Sequence, residues 1–428
     1  MPTVSGGERG RTALILHGVN VWNTGDLGLL ETTVARLREE LGPDVRLWSE
    51  EVFSHDESAV REHLDRLGLR SVPALIPLRQ HRGWSRPRWL AHLALTAFAV
   101  LAVRLLGWRV LGALPTGVAE PLRGLRDADV VISKAGGHLY STAERRVGSP
   151  TYLFTIWAAS VLRRPTVIYA QSVGPFSSRL ADALARRALR GVALATAREP
   201  RSHAWLKGTL ADATRVHLTA DEGFHLRPNA DPANPVEPEL GITAIAWRYP
   251  GHPDPRAAAT RYEDALVEVA RWYIDERGGR VSLVRWLTGG HREDDRELID
   301  RLLARIDRAG RAGAIGPFGP LEASRRLGEM EMLVASRLHS AIFAMVAGTP
   351  AVAVEYLPKT GEIMAMAVGE GWVVPIEQVG DGRLLAKVRA LHRDRAAVRE
   401  TLARTIPELR TAAAANARLV RGLFGAGS

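Results

Sequence analysis

Cysteine is absent from the 428-residue chain. Its absence excludes a disulfide scaffold, thiolate chemistry and any cysteine-ligated metal site. Lysine is scarce too. Of the 57 basic residues, the only lysines are Lys134, Lys207, Lys359 and Lys387. The arginines give a net charge of +10. That charge is compatible with anionic substrates, an anionic membrane surface or nucleic acid, or with genomic base composition alone.

Several chemical signatures are missing as well. The chain has no P-loop lysine motif, no G-x-S-x-G elbow, no H-E-x-x-H motif and no standard DNA- or RNA-binding motif. Nucleic acid is therefore not an expected partner, and neither a metal nor a resident cofactor is predicted. The N-terminal stretch MPTVSGGERGRT lacks the apolar core of a signal peptide, so a cytoplasmic location is expected.

Apolar runs alternate with helical patterns along the chain, whose length fits two domains. The runs that predict strands in the first half are 12–19, 44–49, 129–133, 166–171, 193–197 and 216–220. Those in the second half are 241–247, 280–286, 312–316, 331–335 and 351–356, with helical patterns at 258–277, 293–309, 339–347 and 383–424. Between the two halves, 227–240 is rich in Pro, Asn and Asp and predicts a linker.

This alternation predicts an α/β fold in which two doubly wound Rossmann-like domains face a cleft. The first domain is expected over 1–228, with an insertion at about 79–114, and the second over 241–428. Ligands of such sheets bind beyond the carboxyl ends of the strands. The site is therefore expected at the strand-to-helix turns that border the cleft.

The insertion breaks the alternation. Residues 79–89 are basic and aromatic, and 90–103 form an apolar run without a full charge, followed by Arg104 and Arg109. The uncharged run is shorter than the roughly 20 residues that cross a bilayer. Two interpretations stay open: a helix that lies in the membrane interface, peripheral at the inner face, and a buried crossover helix.

Four strand-to-helix turns carry side chains suited to chemistry, at 23–26, 134–138, 171–175 and 336–340. A glycine pair in the second turn lets a ligand approach the backbone. The fourth turn brings a serine, an arginine and a histidine to a helix N-terminus, which favours anions. Structural explanations stay open for each turn, including a helix cap made by Asp26.

Two acidic motifs have simpler explanations. The DAD motif at 127–129 resembles the metal motif of some sugar transferases, but it precedes an apolar strand, so a turn is predicted. The RED-D motif at 292–295 opens a helix, where acidic side chains complement the macrodipole. It predicts a solvated helix start.

Basic residues follow several predicted strands. Arg198 follows ALATA, Arg248 follows GITAIAW, and Lys359 comes shortly after AVAVEY. With Arg337 they predict an electropositive cleft that suits a small, highly charged anion.

A set of motifs in one fixed order connects these turns. The chain reads NTGDLGLL after the first strand, then DVVISKAGG, YAQSVGP, AREPRS, TAD and SRLHSAIFAMVAGTPAVAVEYLPK. The ordered set resembles the polysaccharide pyruvyl transferase family from about residue 12 to about residue 370. The usual GGGxL segment of that family reads KAGGHL here, a departure at Lys134 and His138.

The resemblance implies a glycosyltransferase-B-like fold and transfer of pyruvate from phosphoenolpyruvate to a sugar of a cell-surface polysaccharide or glycolipid as a cyclic ketal. It implies that Arg198, Arg337 and His339 serve phosphoenolpyruvate. His339 is the expected acid/base or phosphate donor, and Lys359 and Ser340 are added to the donor site. The residues expected on the side of the acceptor sugar are Asp26 as general base, Asn23, Thr24, Gly25, Gly136, Gly137 and His138.

Two other functions are compatible with the sequence. One is a nucleotide-sugar-dependent glycosyltransferase of the same fold, and the other is a non-enzymatic glycan-assembly scaffold that acts through 79–109. Trp22, Trp247 and Trp286 either stack on a sugar or belong to the core. If 79–109 lies on a membrane, a lipid-linked sugar becomes the natural acceptor.

Overall fold

The computed structural model describes residues 11–52, 57–78, 83–141, 148–227, 237–289, 294–308 and 310–425. These residues form two sheets, each covered by helices, and all strand pairings within both sheets are parallel. The architecture agrees with the predicted pair of doubly wound domains.

The first sheet has the strand order β3-β2-β1-β4-β6-β7-β8, with β5 beside β6 beyond the end of β4. Its strands are β1 (Thr12–Leu16), β2 (Arg46–Glu51), β3 (Arg70–Pro73), β4 (Val130–Ser133), β5 (Gly136–Leu139), β6 (Thr166–Val173), β7 (Leu194–Ala197) and β8 (Val216–Leu218).

The second sheet has the order β11-β10-β9-β12-β13-β14, which is the Rossmann order. Its strands are β9 (Glu239–Thr243), β10 (Arg280–Val284), β11 (Ala312–Ile315), β12 (Met332–Ala335), β13 (Ala351–Glu355) and β14 (Val373–Pro375). The direction of winding reverses between β1 and β4 in the first sheet and between β9 and β12 in the second. These two switch points are where ligands of such sheets bind.

Helices connect the strands. In the first half they are α1 (Thr24–Leu41), α2 (Glu57–Arg66), α3 (Arg86–Leu106), α4 (Thr116–Asp127), α5 (Gly148–Val161), α6 (Arg179–Leu189) and α7 (Pro200–Lys207). In the second half they are α8 (Pro255–Arg277), α9 (Arg296–Ile306), α10 (Pro320–Gly328), α11 (Leu338–Val346), α12 (Lys359–Val368) and α13 (Arg383–Gly425).

Alternation along β1 divides the first core into two layers. Leu14 packs in the layer that contains α3 to α6, whereas Ile15 packs in the layer that contains α1. The end of α13 returns to this second layer, where Ala417 and Val420 are fully buried. The last turns of the C-terminal helix therefore cover the first sheet. Of the predicted linker, 228–236 lies outside the described residues.

Three predictions of strands and turns need correction. The strand predicted over 241–247 is Glu239–Thr243, so it begins within the predicted linker. β1 ends at Leu16 and not at residue 19, because His17 and Gly18 adopt positive φ angles of 80° and 57° and turn the chain. The segment 134–138 is not a strand-to-helix turn, since Gly136 opens the short strand β5. The glycine pair thus begins a short strand that pairs with β6 beyond the end of β4.

The apolar insertion forms α3, which is mostly exposed. Among the described residues only this helix is long and apolar enough to cross a membrane, and 33% of its apolar window is buried. The interpretation as a buried crossover helix is therefore wrong for most of its surface. The basic stretch at 79–82 lies outside the described residues.

Candidate active site

The two switch points meet where α1 contacts α11. A Cβ on Gly25 would stand 2.7 Å from Nδ1 of His339, and a Cβ on Gly28 would stand 2.5 Å from Cζ of Phe343. Glycine at both positions therefore permits the contact between the helices. Gly25 gives close approach to the imidazole of His339, which corrects the expectation that it gives close approach to a sugar.

The loop before α1 is tied to the second domain. Thr24 donates its backbone N–H to the carbonyl of Trp286 at 3.2 Å and its hydroxyl to the carbonyl of Phe318 at 3.1 Å. Asn23 caps α1 by accepting a hydrogen bond from the N–H of Gly25 at 3.0 Å. The expectation that Asn23 and Thr24 present free polar groups to a sugar is corrected, because the cap and the domain contact engage them.

Asp26 forms an ion pair with Lys134. Lys134 is 3% exposed and donates from Nζ to Oδ1 of Asp26, while the N–H of Asn20 donates to Oδ2 at 2.6 Å. Because Asn23 caps the helix, the alternative that Asp26 is the cap is wrong. The Asp26 carboxylate is 21% exposed and joins the loop after β1 to the bend after β4.

A cluster of four charged or polar side chains joins the domains. Arg198 is fully buried at the end of β7 and donates from Nε to Oγ of Ser172 at 2.7 Å and from Nη1 to the carboxylate of Asp221. Nε2 of His339 lies 3.4 Å from Nη1 of Arg198 and 3.7 Å from Oδ2 of Asp221. Asp221 therefore stands between a fixed cation and the imidazole.

Burial and charge set the protonation of this cluster. Burial alone would raise the pKa of the Asp221 carboxyl, but Arg198 and His339 more than offset it, so its pKa lies well below the ordinary value. Burial lowers the pKa of His339, and Asp221 compensates only in part. The imidazole is therefore neutral at neutral pH in the unliganded protein.

Two cations converge on the backbone of Gly137. A Cβ at this position would stand 2.5 Å from Nζ of Lys359 and 2.7 Å from Nη2 of Arg198. Among the described residues, this buried Nη2 has no hydrogen-bond partner. A side chain at 137 would fill the space between the cations, and glycine leaves it open. An anionic group placed there would satisfy the Arg198 donor.

A cleft between the domains that is open to solvent borders this point. The first domain contributes Gly137, Tyr140, Ser172, Val173, Gly174, Pro175, Glu199, Arg201 and Ser202, and the second contributes Leu357, Pro358, Lys359 and Glu362. The backbone N–H of Arg201 donates to Oε2 of Glu362 at 2.8 Å across the domains.

A buried polar wall lies behind β5. Gln171 donates from Nε2 to the carbonyl of Lys134 at 2.7 Å, and this Nε2 lies 3.1 Å from Nε2 of His138. The rings of His138 and His17 are 4.7 Å apart. Burial, supported by nearby cations, lowers the pKa of both histidines well below the ordinary value. Both are therefore neutral, and a Cβ on the expected acceptor residue Gly136 would stand 3.4 Å from Nδ1 of His138.

Arg337 and Ser340 belong to the interior of the second domain. Nη2 of Arg337 donates to Oδ1 of fully buried Asp295. Ser340 is fully buried, donates to the carbonyl of Arg337 at 2.6 Å and shares a hydrogen bond with Thr243 at 2.7 Å. The expectation that Ser340 meets an anion in the cleft is corrected, because its hydroxyl is used inside the domain.

Arg337 is 6% exposed and its guanidinium is paired with Asp295, so its role in binding the donor stays a prediction.

The burial of Asp295 also corrects the prediction of a solvated helix start at 292–295. Asp295 accepts hydrogen bonds from the N–H groups of Trp286 and Leu287 at 3.1 and 2.8 Å. Residues 292–293 lie outside the described residues.

The DAD motif forms the turn from α4 to β4, as predicted. Asp129 accepts a hydrogen bond there from the N–H of Thr12 at 2.8 Å.

Trp286 and Trp247 both belong to or pack against the core of the second domain. Trp286 is 2% exposed and packs on Phe343 at 5.4 Å between ring centroids, so it belongs to the core. Trp247 is half-buried, and its ring centroid lies 4.8 Å from that of Tyr356 with the rings tilted by 49°. Arg248 is exposed and lies beyond the end of β9.

The sequence did not assign roles to Asp221 and Asn416. Asn416 on α13 is fully buried and accepts a hydrogen bond from the hydroxyl of Thr219 at 2.7 Å. Its Nδ2 donates to the carbonyl of Ala220 at 3.1 Å and to Oε1 of Glu222 at 2.9 Å. The TAD motif contained a signal for Asp221, whereas Asn416 stands in an alanine-rich helix without any signal.

Comparison with solved structures supports the same architecture. The fold is similar to Anabaena Alr3699/HepE in complex with UDP and glucose, with a TM-score of 0.54, 12% identity and coverage of 97% of this chain and 99% of that one. It is also similar to sucrose-phosphate synthase from Thermosynechococcus elongatus, with a TM-score of 0.56, 14% identity and coverage of 97% and 100%. At these identities the likeness shows the glycosyltransferase-B-like fold alone.

Sequence comparison is more specific. The chain is 26% identical over 265 residues to the amylovoran biosynthesis protein AmsJ of Erwinia amylovora. That alignment covers 59% of this chain and 64% of AmsJ, which is less than two thirds of the relative's length. The family model of the polysaccharide pyruvyl transferases matches residues 23–358, which span the loop before α1, the Arg198 cluster and the turn before α12. With more than half of its length matched, this chain belongs to the polysaccharide pyruvyl transferase family.

Proposed function

We propose that this protein transfers pyruvate from phosphoenolpyruvate to a sugar of a cell-surface polysaccharide or glycolipid, as a cyclic ketal, and releases phosphate. The observation that carries the proposal is the convergence of Arg198 Nη2 and Lys359 Nζ on the backbone of Gly137, beside neutral His339. Phosphoenolpyruvate carries a phosphate and a carboxylate, and paired cations bind such groups with charge-assisted hydrogen bonds.

At C2 of phosphoenolpyruvate the reaction forms two bonds and breaks two, the bond to the phosphate oxygen and the π bond to C3. Two sugar hydroxyl oxygens each form a C–O bond to C2, and the bond from C2 to the phosphate oxygen breaks. C3 gains one proton and becomes the methyl group. The two hydroxyls lose two protons, of which one balances the proton taken by C3 and one leaves with phosphate.

His339 is the proposed proton donor. Burial keeps the free imidazole neutral, but the negative charge of bound phosphoenolpyruvate raises its pKa, so the imidazole takes up a proton when the donor binds. It then gives the proton to C3 or to the departing phosphate. A positioned acid or base of this kind contributes about 10²–10⁴-fold to the rate.

Asp26 is the proposed general base for a sugar hydroxyl. Its carboxylate is held by Lys134 and by the N–H of Asn20, and it is partly exposed. Each carboxylate oxygen keeps capacity for a further hydrogen bond, so a sugar hydroxyl can bind without displacing either partner. Gly136, Gly137 and His138 are proposed to border the acceptor on the β5 side, and Arg337 to support the donor site from the second domain.

The direct test measures phosphate release from phosphoenolpyruvate in the presence of acceptor, together with mass spectrometry of the glycan for the added ketal. Arg198→Lys is the informative variant. Lysine keeps the charge but cannot reach Ser172, Asp221 and the anion at once. We expect kcat/KM for phosphoenolpyruvate to fall about 100-fold or more, a loss of about 2.7 kcal/mol. Arg215→Lys, at an exposed surface pair, should leave it unchanged.

The second candidate is a nucleotide-sugar-dependent glycosyltransferase, and the likeness to a fold solved with UDP and glucose favours it. A thermal-shift panel separates the two functions. Phosphoenolpyruvate that binds the native state raises the melting temperature, whereas nucleotides should not. Stabilisation by UDP or GDP and none by phosphoenolpyruvate would reject the first proposal.

A further inference from the structure

The outer face of α3 is apolar. Six of its large hydrophobic side chains are exposed, with exposed fractions of 47% for Leu90, 39% for Leu95, 67% for Phe98, 47% for Leu101, 79% for Leu105 and 73% for Leu106. Their spacing places most of them on one side of the helix. On the opposite side, Ala99, Val100 and Val103 pack in the first core. The helix therefore lies along the protein and cannot cross a bilayer without leaving that core.

The sequence around this helix is strongly basic. Between Asp65 and Glu120 the sequence has eight arginines and no acidic residue. Among the described ones, Arg86, Arg88 and Arg104 are exposed on α3. Three exposed arginines thus accompany the apolar side chains on the same helix.

The helix α6 continues the same pattern. It shares the core layer of α3 and α5, and it exposes Leu180 and Leu184 to 69% and 59%. Arg179 and Arg187 on α6 are exposed too. Its N-terminus follows Gly174 and Pro175, which line the candidate cleft.

We infer that the outer face of α3, together with α6, which packs on the same helix α5, docks on an anionic lipid bilayer and lies parallel to its surface. Apolar side chains enter the acyl boundary while arginines at their edge meet anionic headgroups. A second copy of the chain is disfavoured as the occupant, because an isologous dimer on this face would bring the same arginines together. The inference is independent of the reaction in the cleft.

Vesicle co-sedimentation tests the inference. The full chain is mixed with vesicles of phosphatidylcholine and phosphatidylglycerol, or of phosphatidylcholine alone, at low and high salt. We expect binding to the anionic vesicles at low salt and at least tenfold weaker binding at high salt or without phosphatidylglycerol. The double variant Phe98→Ser/Leu105→Ser removes apolar surface without changing charge and should weaken binding at least tenfold. Leu218→Ser/Leu321→Ser, at two leucines that are each 45% exposed on other elements, should not.

Three outcomes overturn the inference. The first is absence of binding to anionic vesicles at low salt. The second is binding that Phe98→Ser/Leu105→Ser leaves unchanged, which assigns the contact to another surface. The third combines two results: the wild type does not bind vesicles, and light scattering shows a wild-type dimer that the double variant no longer forms. A second copy of the chain would then be the occupant of this face. Thermal unfolding of both double variants verifies that they are folded.

Discussion

Gly137 and Lys359 approach so closely that a Cβ at position 137 would stand 2.5 Å from Nζ of the lysine. Gly137→Ala should therefore push Lys359 and Arg198 away from the anion position, because the methyl group occupies the space between them. We expect KM for phosphoenolpyruvate to rise about tenfold or more, equal to about 1.4 kcal/mol, with little change in the melting temperature. Steady-state kinetics and thermal unfolding measure the two effects.

Gly313→Ala is the matched control, since a Cβ there meets nothing within 4 Å. It should leave KM unchanged. If Gly137→Ala binds phosphoenolpyruvate as tightly as the wild type, the donor does not lie at the Gly137 backbone.

Binding of phosphoenolpyruvate should be coupled to proton uptake by His339. The pKa of the free imidazole is lowered by burial, and the negative charge of the ligand raises it, so His339 gains a proton at pH values between the two. Calorimetric titration in two buffers with different ionisation enthalpies measures the number of protons taken up. His339→Gln should remove the uptake and lower kcat by about 10²–10⁴-fold. His217→Gln on β8 should preserve both, and undiminished turnover in His339→Gln would contradict the assignment.

The sequence was sufficient to predict the fold because its signals are local. Apolar runs and helical periods recur often enough to place the two sheets. The ordered motifs also identified the neighbourhoods of Arg198 and His339. The details of the site depend on contacts between residues far apart in the chain, and these have no local pattern.

The segment 23–26 illustrates this limit. Its small and polar residues suggested a wall facing a sugar, but Gly25 contacts His339 and Thr24 bonds to Phe318, both from the other domain. Ser340 looked like an anion ligand at a helix start, yet Thr243 engages it inside the core. No role was predicted for Asn416, because a polar residue in a long helix is usually exposed to solvent.

Asp26→Asn should lower activity and stability together, since it removes both the proposed base and the partner of buried Lys134. Loss of one partner of a buried pair costs roughly 3 kcal/mol. The double variant Asp26→Asn/Lys134→Met separates the two roles, because it also removes the buried charge. We expect the melting temperature to recover in the double variant while kcat stays low. Full activity in Asp26→Asn would exclude the carboxylate as a base.

Glu222 should make the protein less stable as the pH rises. Burial raises the pKa of its carboxyl from 4.5 to about 8. Between these values the folded state holds a proton that the unfolded chain has lost, so the free energy of unfolding falls with rising pH. The contribution reaches a few kcal/mol by pH 8. In the Glu222→Gln variant, the glutamine carbonyl can accept the hydrogen bond from Asn416 as the glutamate does. Because glutamine does not titrate, the unfolding free energy of this variant should depend less on pH between pH 5 and 8. Equal slopes in chemical denaturation would contradict the shifted pKa.

Asn416 should act on catalysis through the position of Asp221. Its hydrogen bonds hold Thr219 and Ala220 on one side of Asp221 and Glu222 on the other, so the C-terminal helix fixes the carboxylate beside His339. Asn416→Asp keeps the acceptor for Thr219 but loses both donated hydrogen bonds and places a carboxylate beside Glu222. We expect a lower kcat, about tenfold, and a shifted pKa of His339 in the pH profile of kcat/KM, because the distance from Asp221 to the imidazole changes.

A purely structural role for Asn416 would move only stability. Ile406→Val is the control for this, since it removes a methylene from the same helix in the core of the second domain and costs about 1 kcal/mol. It should lower the melting temperature and leave the pH profile in place. If Asn416→Asp behaves in the same way, with an unshifted profile and a normal kcat at temperatures where it is folded, then α13 only covers the first domain, and Asp221 is positioned by Arg198 alone.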